Sequence, residues 1–255
     1  MATYKKKGNK SKIDSKTLIE NQSATAEVFT KLDSSSNKAQ LWVAKNQKYI
    51  FGFILIISLL ILSYLAYDKY VSTPKNIEAT NLIFKPQSFY KKALEDPVLQ
   101  DSLFLLALNG DNYNPGFLEI IKNFKSTNAA NISFYNAGMI YLKLGEFDKA
   151  IKFLNKFSSD DPMLASLSKG GIGDAFSELN QYKEALDFYE KAAYHSKNGI
   201  TTPRYLFKGA QVALYLGDNK KAIKLLELLK NEYKSSTQAA SIEVLLAQAK
   251  QKDAQ

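Results

Sequence analysis

A long stretch without charges, Tyr49 to Tyr67, limits what this chain can fold into more than any other feature. Its nineteen residues read YIFGFILIISLLILSYLAY, and twelve of them are Leu, Ile or Phe. As a helix it would be about 28 Å long, close to the ~30 Å hydrocarbon core of a bilayer. A helix in a soluble core normally keeps a polar face over this length, and this stretch has none. The stretch therefore predicts a single transmembrane helix.

The lysines around this stretch predict its orientation. The 48 residues before it contain ten lysines and four acidic residues, a surplus of six positive charges in a 255-residue chain of net charge +9. After it, Lys69, Lys75 and Lys85 are mixed with Asp68 and Glu78. Because segments rich in lysine stay on the cytoplasmic side, we expect the N-terminal tail in the cytoplasm and the last 188 residues across the membrane.

A cleaved signal peptide is the alternative to an uncleaved anchor. Signal peptides carry an apolar region of about 7–15 residues followed by a small-x-small cleavage site. The apolar region here is longer, and YLAY at residues 64–67 offers no clean site. Aromatic residues at the two ends also suit the two interfaces of a membrane, namely Trp42, Tyr49, Tyr64, Tyr67 and Tyr70. We expect an uncleaved signal-anchor helix.

Composition divides the segment that precedes the membrane helix. Residues 1–36 form a basic cytoplasmic tail that we expect to be largely disordered, since residues 1–16 are rich in Lys, Ser and Asn. Residues 17–32 could instead form an amphipathic helix held on membrane lipid, with a break at Ser34-Ser35-Ser36. A second helix is expected over residues 37–71, with residues 49–67 as its membrane core.

The residue types present exclude several classes of site. There is no cysteine, which rules out disulfides and thiolate metal sites. The single histidine, His195, disfavours a His-based metal site or a Ser-His triad, and we expect it to be solvated at a helix end. The positive charge is concentrated in the tail without interleaved aromatic residues, so no nucleic acid partner is expected.

No catalytic constellation is recognisable either. Asp160 and Asp161 precede Pro162 in a predicted turn, where solvated acids are ordinary. Glycines at positions 170, 171 and 173 fall inside a predicted helix, without the strand that a phosphate-binding loop requires. We therefore predict a non-enzymatic protein with no catalytic, metal or cofactor site.

The chain after the membrane helix shows only helical patterns. Pro74 marks the exit from the membrane helix, and helices are predicted over residues 77–94, disturbed by Pro86, then 98–108 and 117–124. No segment shows the sustained alternation of a half-buried strand. The predicted fold class is all-α, with residues 72–130 as a degenerate helical repeat segment.

From Asn131 the sequence becomes periodic. Alanines at 150, 185 and 222 are spaced by 35 and 37 residues, and each follows a turn residue five positions earlier: Gly145, Asn180 and Gly217. Gly and Asn suit the positive φ that a helix C′ position requires. The period predicts helix–turn–helix units that stack into a solenoid.

These residues resemble the tetratricopeptide repeat, whose pattern alternates small and aromatic residues at fixed positions. The first unit supplies Gly138, Tyr141, Gly145, Phe147, Ala150, Leu154 and Pro162, and the second supplies Gly173, Phe176, Asn180, Tyr182, Ala185, Tyr189 and Ala192. The second unit has Lys197 in place of proline, and the third is weaker, with Ala213 and Asn219 at aromatic positions. The resemblance implies three repeats over residues 131–235 and, in residues 236–255, a capping helix over residues 238–250 with Ala240, Val244, Leu245 and Ala249 on its apolar face.

The resemblance also implies a protein-binding face, formed by the first helix of each repeat. The expected concave-face residues are Tyr135, Met139, Lys143, Asp174, Glu178, Arg204, Phe207, Gln211 and Tyr215. Each of them could instead be covered by neighbours. The aromatic residues of the repeat pattern, Tyr141, Phe147, Phe176, Tyr182 and Tyr189, are assigned to the core. The cation pattern that clamps a C-terminal carboxylate in some members is absent, since Ile132 and Tyr135 occupy those positions.

Over residues 45–250 the order of segments resembles a bacterial family, the single-pass envelope tetratricopeptide proteins of the YfgM-like type, in the form found in Bacteroidetes. Three stretches carry the likeness: LALNGD, YLKLGEFDKAIKFLNKF and GIGDAFSELNQYKEALDFYEKAA. The resemblance implies an inner-membrane protein with a periplasmic C-terminal domain, ancillary to the Sec translocon. Its implied partners are the SecY channel complex, a membrane-anchored parvulin-type periplasmic chaperone and emerging secreted polypeptides. The alternative is an envelope scaffold for another machine, such as outer-membrane biogenesis or cell division.

Overall fold

The computed structural model describes residues 15–253, and their side chains at residues 27, 28 and 40–253. It contains two compact units, Met1–Asp68 and Lys69–Gln255. The described part of the chain is helical apart from turns and an isolated bridge between Gly110 and Pro115. The predicted all-α class is confirmed.

The first unit consists of helix α1, Ser15–Tyr67, which runs without interruption. The predicted break at Ser34-Ser35-Ser36 is wrong. Serine costs only about 0.5 kcal/mol relative to alanine inside a helix, and residues 15–51 contain no proline or glycine to end it. Of the tail that was expected to be largely disordered, residues 15–36 belong to helix α1, and residues 1–14 lie outside the described residues.

The apolar stretch forms the C-terminal part of α1, and its residues from Phe51 to Tyr67 are all exposed. Within the described residues, one helical stretch is long and apolar enough to cross a membrane, and none of its most apolar window is buried. The core helix of a soluble protein would be mostly buried. The stretch is therefore compatible with a single-pass membrane anchor.

Short helices follow α1. A π-helical turn, Asp68–Ser72, leads into α2, Thr73–Leu82; then come α3, Phe84–Glu95, α4, Gln100–Asn109, and α5, Phe117–Asn123. Residues 77–94, expected to be helical but disturbed by Pro86, belong to two helices that meet at Ile83. Pro86 lies in the first turn of α3, because a residue without an N–H is tolerated there and not in a helix interior.

The periodic region forms three helix pairs and a terminal helix. The pairs are α6, Asn128–Lys143, with α7, Phe147–Leu154; α8, Pro162–Glu178, with α9, Tyr182–His195; and α10, Thr201–Tyr215, with α11, Asn219–Glu232. Each helix packs on the next one in the chain, which is the arrangement of a tetratricopeptide-like solenoid. A 3₁₀ turn, Thr237–Ser241, and α12, Ile242–Asp253, follow.

The turn residues within the three pairs have the backbone conformation that the sequence predicts. Gly145, Asn180 and Gly217 have φ values of +76°, +58° and +75°. Asn180 is the one non-glycine residue with positive φ among the described residues. Each turn can therefore reverse the chain within a few residues, which brings the paired helices into contact.

Small residues on the first helix of a pair receive large side chains from the second. A Cβ atom at Gly138 would lie 2.6 Å from Cγ of Leu154, and one at Gly173 would lie 2.8 Å from the Tyr189 ring. Tyr141 and Tyr189 are buried as expected. Phe147, Phe176 and Tyr182 are partly buried and pack against the two core clusters.

The terminal helix α12 packs on α11 with a face that only partly matches the predicted one: Ala249 is buried and Leu245 is partly buried against the core, as predicted. Ile242, Leu246 and Ala249 are buried, whereas Ala240 is exposed and Val244 is 76 % exposed. The prediction treated residues 238–250 as one α-helix. The first residues instead form a 3₁₀ turn, with about 3.0 residues per turn, so the faces of the following helix are rotated.

Candidate protein-binding site

A cavity of about 590 Å³ lies between the repeats of the second unit and is called the inter-repeat cavity here. Side chains from the ends of α6 and α8, the start of α9 and the second half of α10 surround it. Its lining residues are Leu142, Lys143, Gly145, Phe147, Asp174, Ser177, Glu178, Tyr182, Tyr189, Lys208, Gln211, Val212 and Tyr215. The volume is within the range of about 300–1,000 Å³ of ligand sites.

Five of the nine residues expected on the concave face line this cavity together. They are Lys143, Asp174, Glu178, Gln211 and Tyr215, and they come from three different repeats. The first helices of successive repeats thus bring side chains from distant positions in the chain to one place. That these residues bind a protein stays a prediction.

The other four expected residues lie outside the lining of the inter-repeat cavity. The half-buried Tyr135 ring packs 5.1 Å from that of Phe157, and the Arg204 guanidinium lies 5.7 Å from the centre of the Tyr205 ring. A Cβ atom at Gly171 would lie 3.3 Å from Sδ of Met139, which packs there. Phe207 is partly buried against the C-terminal core cluster.

Asp174 is the centre of a hydrogen-bonded group in the cavity. Its Oδ1 accepts from the Tyr189 hydroxyl at 2.7 Å and from Nζ of Lys208 at 2.6 Å. Burial, followed by the neighbouring Asp174 carboxylate, raises the pKa of Tyr189 well above its ordinary value. The Tyr189 phenol therefore stays protonated and keeps donating to Asp174 at any physiological pH.

Lys208 is a cavity residue that the sequence reasoning missed. It follows Arg204 by four positions and precedes Gln211 by three, so it lies on the same helical stripe as those two predicted residues. The helical spacing alone could have identified it. Its ion pair with Asp174 joins the second and third repeats.

Two tyrosines form one wall of the cavity. The rings of Tyr182 and Tyr215 are 4.3 Å apart between centroids, and the Tyr182 hydroxyl donates to Oδ1 of Asn180 at 2.7 Å. A side-chain hydrogen bond with Tyr215 raises the pKa of Tyr182. Tyr215 is 70 % exposed and offers an aromatic face to a ligand. Tyr182 thus serves both the repeat packing and this wall.

The candidates for chemistry lie apart from this cavity. His195 is exposed at the end of α9, as expected, and Asp161 caps the N-terminus of α8 by accepting from the amides of Met163 and Leu164. Among the described residues, no group of three or more His, Cys, Asp or Glu side chains is placed to hold a metal ion. The arrangement in the cavity can bind a polar and aromatic ligand surface.

Comparisons with known proteins place this architecture among tetratricopeptide repeats. Residues 133–159 and 168–195 match the family model described as tetratricopeptide repeat. These ranges correspond to the first two helix pairs. These two segments therefore carry the tetratricopeptide repeat pattern, and that fold typically forms non-enzymatic protein-interaction scaffolds.

Two curated proteins are similar in sequence. Anaphase-promoting complex subunit 3 of Schizosaccharomyces pombe is 29 % identical over 187 residues, which cover 66 % of this chain and 27 % of that protein. The uncharacterized protein ycf37 of Guillardia theta is 30 % identical over 89 residues, which cover 33 % of this chain and 50 % of that protein. The chain thus spans half or less of the length of these curated relatives.

A solved structure shares the fold. It is the crystal structure of a protein from Podosopora anserina, described as a kinesin light chain with nearly identical TPR-like repeats. The TM-score is 0.50 at 16 % identity, and the match covers 67 % of this chain and 87 % of that one. At this identity the likeness concerns the fold alone.

Proposed function

We propose that this chain is a non-enzymatic adaptor that holds a polypeptide segment in the inter-repeat cavity while α1 anchors it in a membrane. One observation carries the proposal: three repeats bring charged, polar and aromatic side chains together around a cavity of about 590 Å³. Tetratricopeptide repeats as a class mediate contacts between proteins. The Schizosaccharomyces pombe relative, named as a subunit of a complex, agrees with such a role.

The charges in the cavity indicate what kind of segment it would hold. Lys208 and Asp174 neutralise each other, whereas Lys143 and Glu178 are exposed and form no ion pair among the described residues. A bound segment can therefore supply an acidic group to Lys143 and a basic group to Glu178. Tyr215 adds an exposed aromatic face of the kind that is enriched at protein–protein contacts.

A membrane anchor would make weak binding at this cavity sufficient. Tethering confines the cavity to a thin layer next to the membrane, which raises its effective concentration towards any partner in the same layer. The lysine-rich N-terminal segment favours a cytoplasmic tail, which would place the repeats on the other side. The proposed location is the bacterial inner membrane with the repeats in the periplasm.

The finer proposal is an accessory of the Sec translocon. Its support is the resemblance of the segment order and of three stretches to the YfgM-like envelope proteins. In this role the cavity would receive an emerging secreted polypeptide or a membrane-anchored parvulin-type chaperone beside the SecY channel. The competing role is a scaffold for another envelope machine.

Site-specific photocrosslinking in intact cells tests the proposal. A photoreactive amino acid at Gln211 lies in the cavity and is exposed, and one at Tyr113, which is 93 % exposed and does not line it, is the matched control. We expect adducts with a Sec channel subunit, a chaperone or secretory chains from Gln211 and not from Tyr113. Adducts with outer-membrane-biogenesis or cell-division proteins would favour the scaffold role. Identical adducts from the two positions would contradict binding in the cavity.

A further inference from the structure

A second cavity of about 300 Å³ lies around His195 and is called the His195 cavity here. It is bounded by the end of α7, the turn before α8, the first half of α8 and the last turns of α9. It shares no lining residue with the inter-repeat cavity. Its polar groups include Lys169, His195, Ser158 and Ser159, and its apolar wall includes Ile172 and Phe188.

Lys169 is a half-buried cation in this cavity without a carboxylate partner among the described residues. Its Nζ lies 3.3 Å from Nδ1 of His195, within hydrogen-bond distance. Burial lowers the pKa of Lys169. A partly desolvated ammonium without a carboxylate partner gains from an anion that enters beside it.

The nearby acids do not serve as that anion. The Asp161 carboxylate accepts hydrogen bonds from the amides of Met163 and Leu164 at the start of α8, and Asp160 is exposed in the turn. Lys191, which lies over the Phe188 ring, is paired with Asp187. Lys169 is therefore the cation of the cavity that is available to a ligand.

The rim of the cavity is held in place before any ligand binds. The Asn131 side chain bonds both backbone groups of Ser158: its Nδ2 donates to the carbonyl at 2.6 Å and its Oδ1 accepts from the amide at 3.1 Å. Phe157, the preceding residue, packs against Tyr135 at 5.1 Å. A rim fixed in this way loses little conformational entropy on binding.

We propose that the His195 cavity binds a carboxylate that carries an apolar group. The Lys169 ammonium pairs with the carboxylate, and the hydroxyls of Ser158 and Ser159 are available as donors. Ile172 and Phe188 receive the apolar part. Such a ligand is either the C-terminus of a peptide that ends in an apolar residue or a short free fatty acid. The site is separate from the inter-repeat cavity, so its test does not depend on the proposed function.

His195 gives this site its own reporter, because it is the single histidine of the chain. The full chain, labelled with ¹³C-histidine in detergent micelles, is titrated with N-acetyl-leucine, N-acetyl-leucine amide and hexanoate. We expect a saturable shift of the imidazole resonances with one or both carboxylates and none with the amide. N-acetyl-leucine alone assigns a peptide C-terminus, and hexanoate alone assigns a fatty acid.

Two substitutions make the test specific. Lys169→Met, whose unbranched side chain is uncharged and one atom shorter, should weaken binding at least about tenfold, since a hydrogen-bonded charge pair is lost. Lys169→Arg should retain binding, and Lys234→Met, at an exposed lysine that lines neither cavity, should leave it unchanged. The proposal is overturned if the acid and the amide shift the resonances equally, or if neither acid shifts them. It is also overturned if Lys169→Met has wild-type helicity and binds as well as wild type.

Discussion

Gly170 and Gly171 are neighbours in α8, but an added methyl group would meet different surroundings at the two positions. At Gly170 the Cβ atom would lie 1.9 Å from Cζ of Tyr205, whose side chain is 2 % exposed and fixed in the core. At Gly171 it would lie 3.0 Å from Cδ1 of Leu154 and 3.3 Å from Sδ of Met139, which are the ends of flexible side chains. The repeat pattern does not distinguish these two glycines.

The two alanine variants should therefore differ in stability. Both gain about 1 kcal/mol of helix propensity. We expect Gly170→Ala to lower the free energy of unfolding by about 1–3 kcal/mol, because the buried ring must move, and Gly171→Ala to stay within about 1 kcal/mol of wild type. Urea unfolding of the full chain in detergent, followed by circular dichroism, measures both. Equal stability of the two variants would show that Tyr205 does not pack on Gly170.

The burial of Tyr90 makes the free energy of unfolding depend on pH in the alkaline range. Burial, followed by the nearby Tyr135, raises the pKa of Tyr90 to about 12 from an ordinary value of 10.0. Between these values the unfolded chain releases the phenolic proton and the folded chain keeps it. The stabilising effect is therefore complete below pH 10 and is lost as the pH rises towards about 12.

Replacing Tyr90 should reduce this alkaline loss. We expect Tyr90→Phe to lose about 1–2 kcal/mol less unfolding free energy than wild type between about pH 8 and about pH 11.5. Tyr113→Phe is the control, since that side chain is 93 % exposed. The measurement is urea unfolding at the two pH values. An alkaline loss that is the same in both variants would mean that Tyr90 is not buried in the folded chain.

For single residues, the sequence predicted the positions whose role depends on local backbone conformation. Gly145, Asn180 and Gly217 were identified because only a few residue types accept positive φ at a helix end. The stripe of Arg204 and Gln211 could have identified Lys208 as a cavity residue, but not its ion pair with Asp174, 34 positions away in the preceding repeat. Spacing within one helix marks a stripe, but the partner of each side chain is set by tertiary packing.

Helices were predicted well in type and less well in their ends. The uninterrupted α1 shows that a run of serines is too weak to end a helix without proline or glycine. Conversely, Pro86 divides residues 77–94 into two helices, because its ring and missing N–H are accommodated in a first turn. The serine break was an error and the disturbance near Pro86 was expected, so residue types differ in how strongly they act on a helical backbone.

The rotated face of α12 gives a test at the scale of one element. Leu246 is 6 % exposed against α11, whereas Val244 is 76 % exposed. We expect Leu246→Ala to lower the free energy of unfolding by about 2 kcal/mol, near the lower limit for a buried leucine because the terminal helix can relax. Val244→Ala should change it by less than about 0.5 kcal/mol.

Urea unfolding of the two variants decides between the predicted and the observed face of α12. The face expected from the sequence included Val244 and not Leu246, which would give the opposite order of effects. A larger loss for Val244→Ala than for Leu246→Ala would therefore restore that prediction. It would also mean that α12 starts as a regular helix at residue 238.

For the whole molecule, the sequence predicted the class of fold from its period and a candidate anchor from one apolar stretch. The period suffices because each repeat can bury its apolar face only by stacking on the next one. The function of the protein depends on a different property, namely which partner pairs with the charges of Lys143 and Glu178. Those two charges could pair with a partner in either role, so the Sec role and the scaffold role are proposed for the same site.

Membrane topology is the property on which both roles depend, and the absence of cysteine makes it directly measurable. Val28 and Val244 are 57 % and 76 % exposed and lie on opposite sides of the apolar stretch in the sequence. Single-cysteine variants Val28→Cys and Val244→Cys, treated with a membrane-impermeant maleimide in intact bacterial spheroplasts, report the side of each position. We expect Val244→Cys to react at once and Val28→Cys to react only after lysis, since the lysines before the stretch hold the tail in the cytoplasm. Labelling of Val28→Cys in intact spheroplasts would place the repeats inside the cell, where neither proposed role could be carried out.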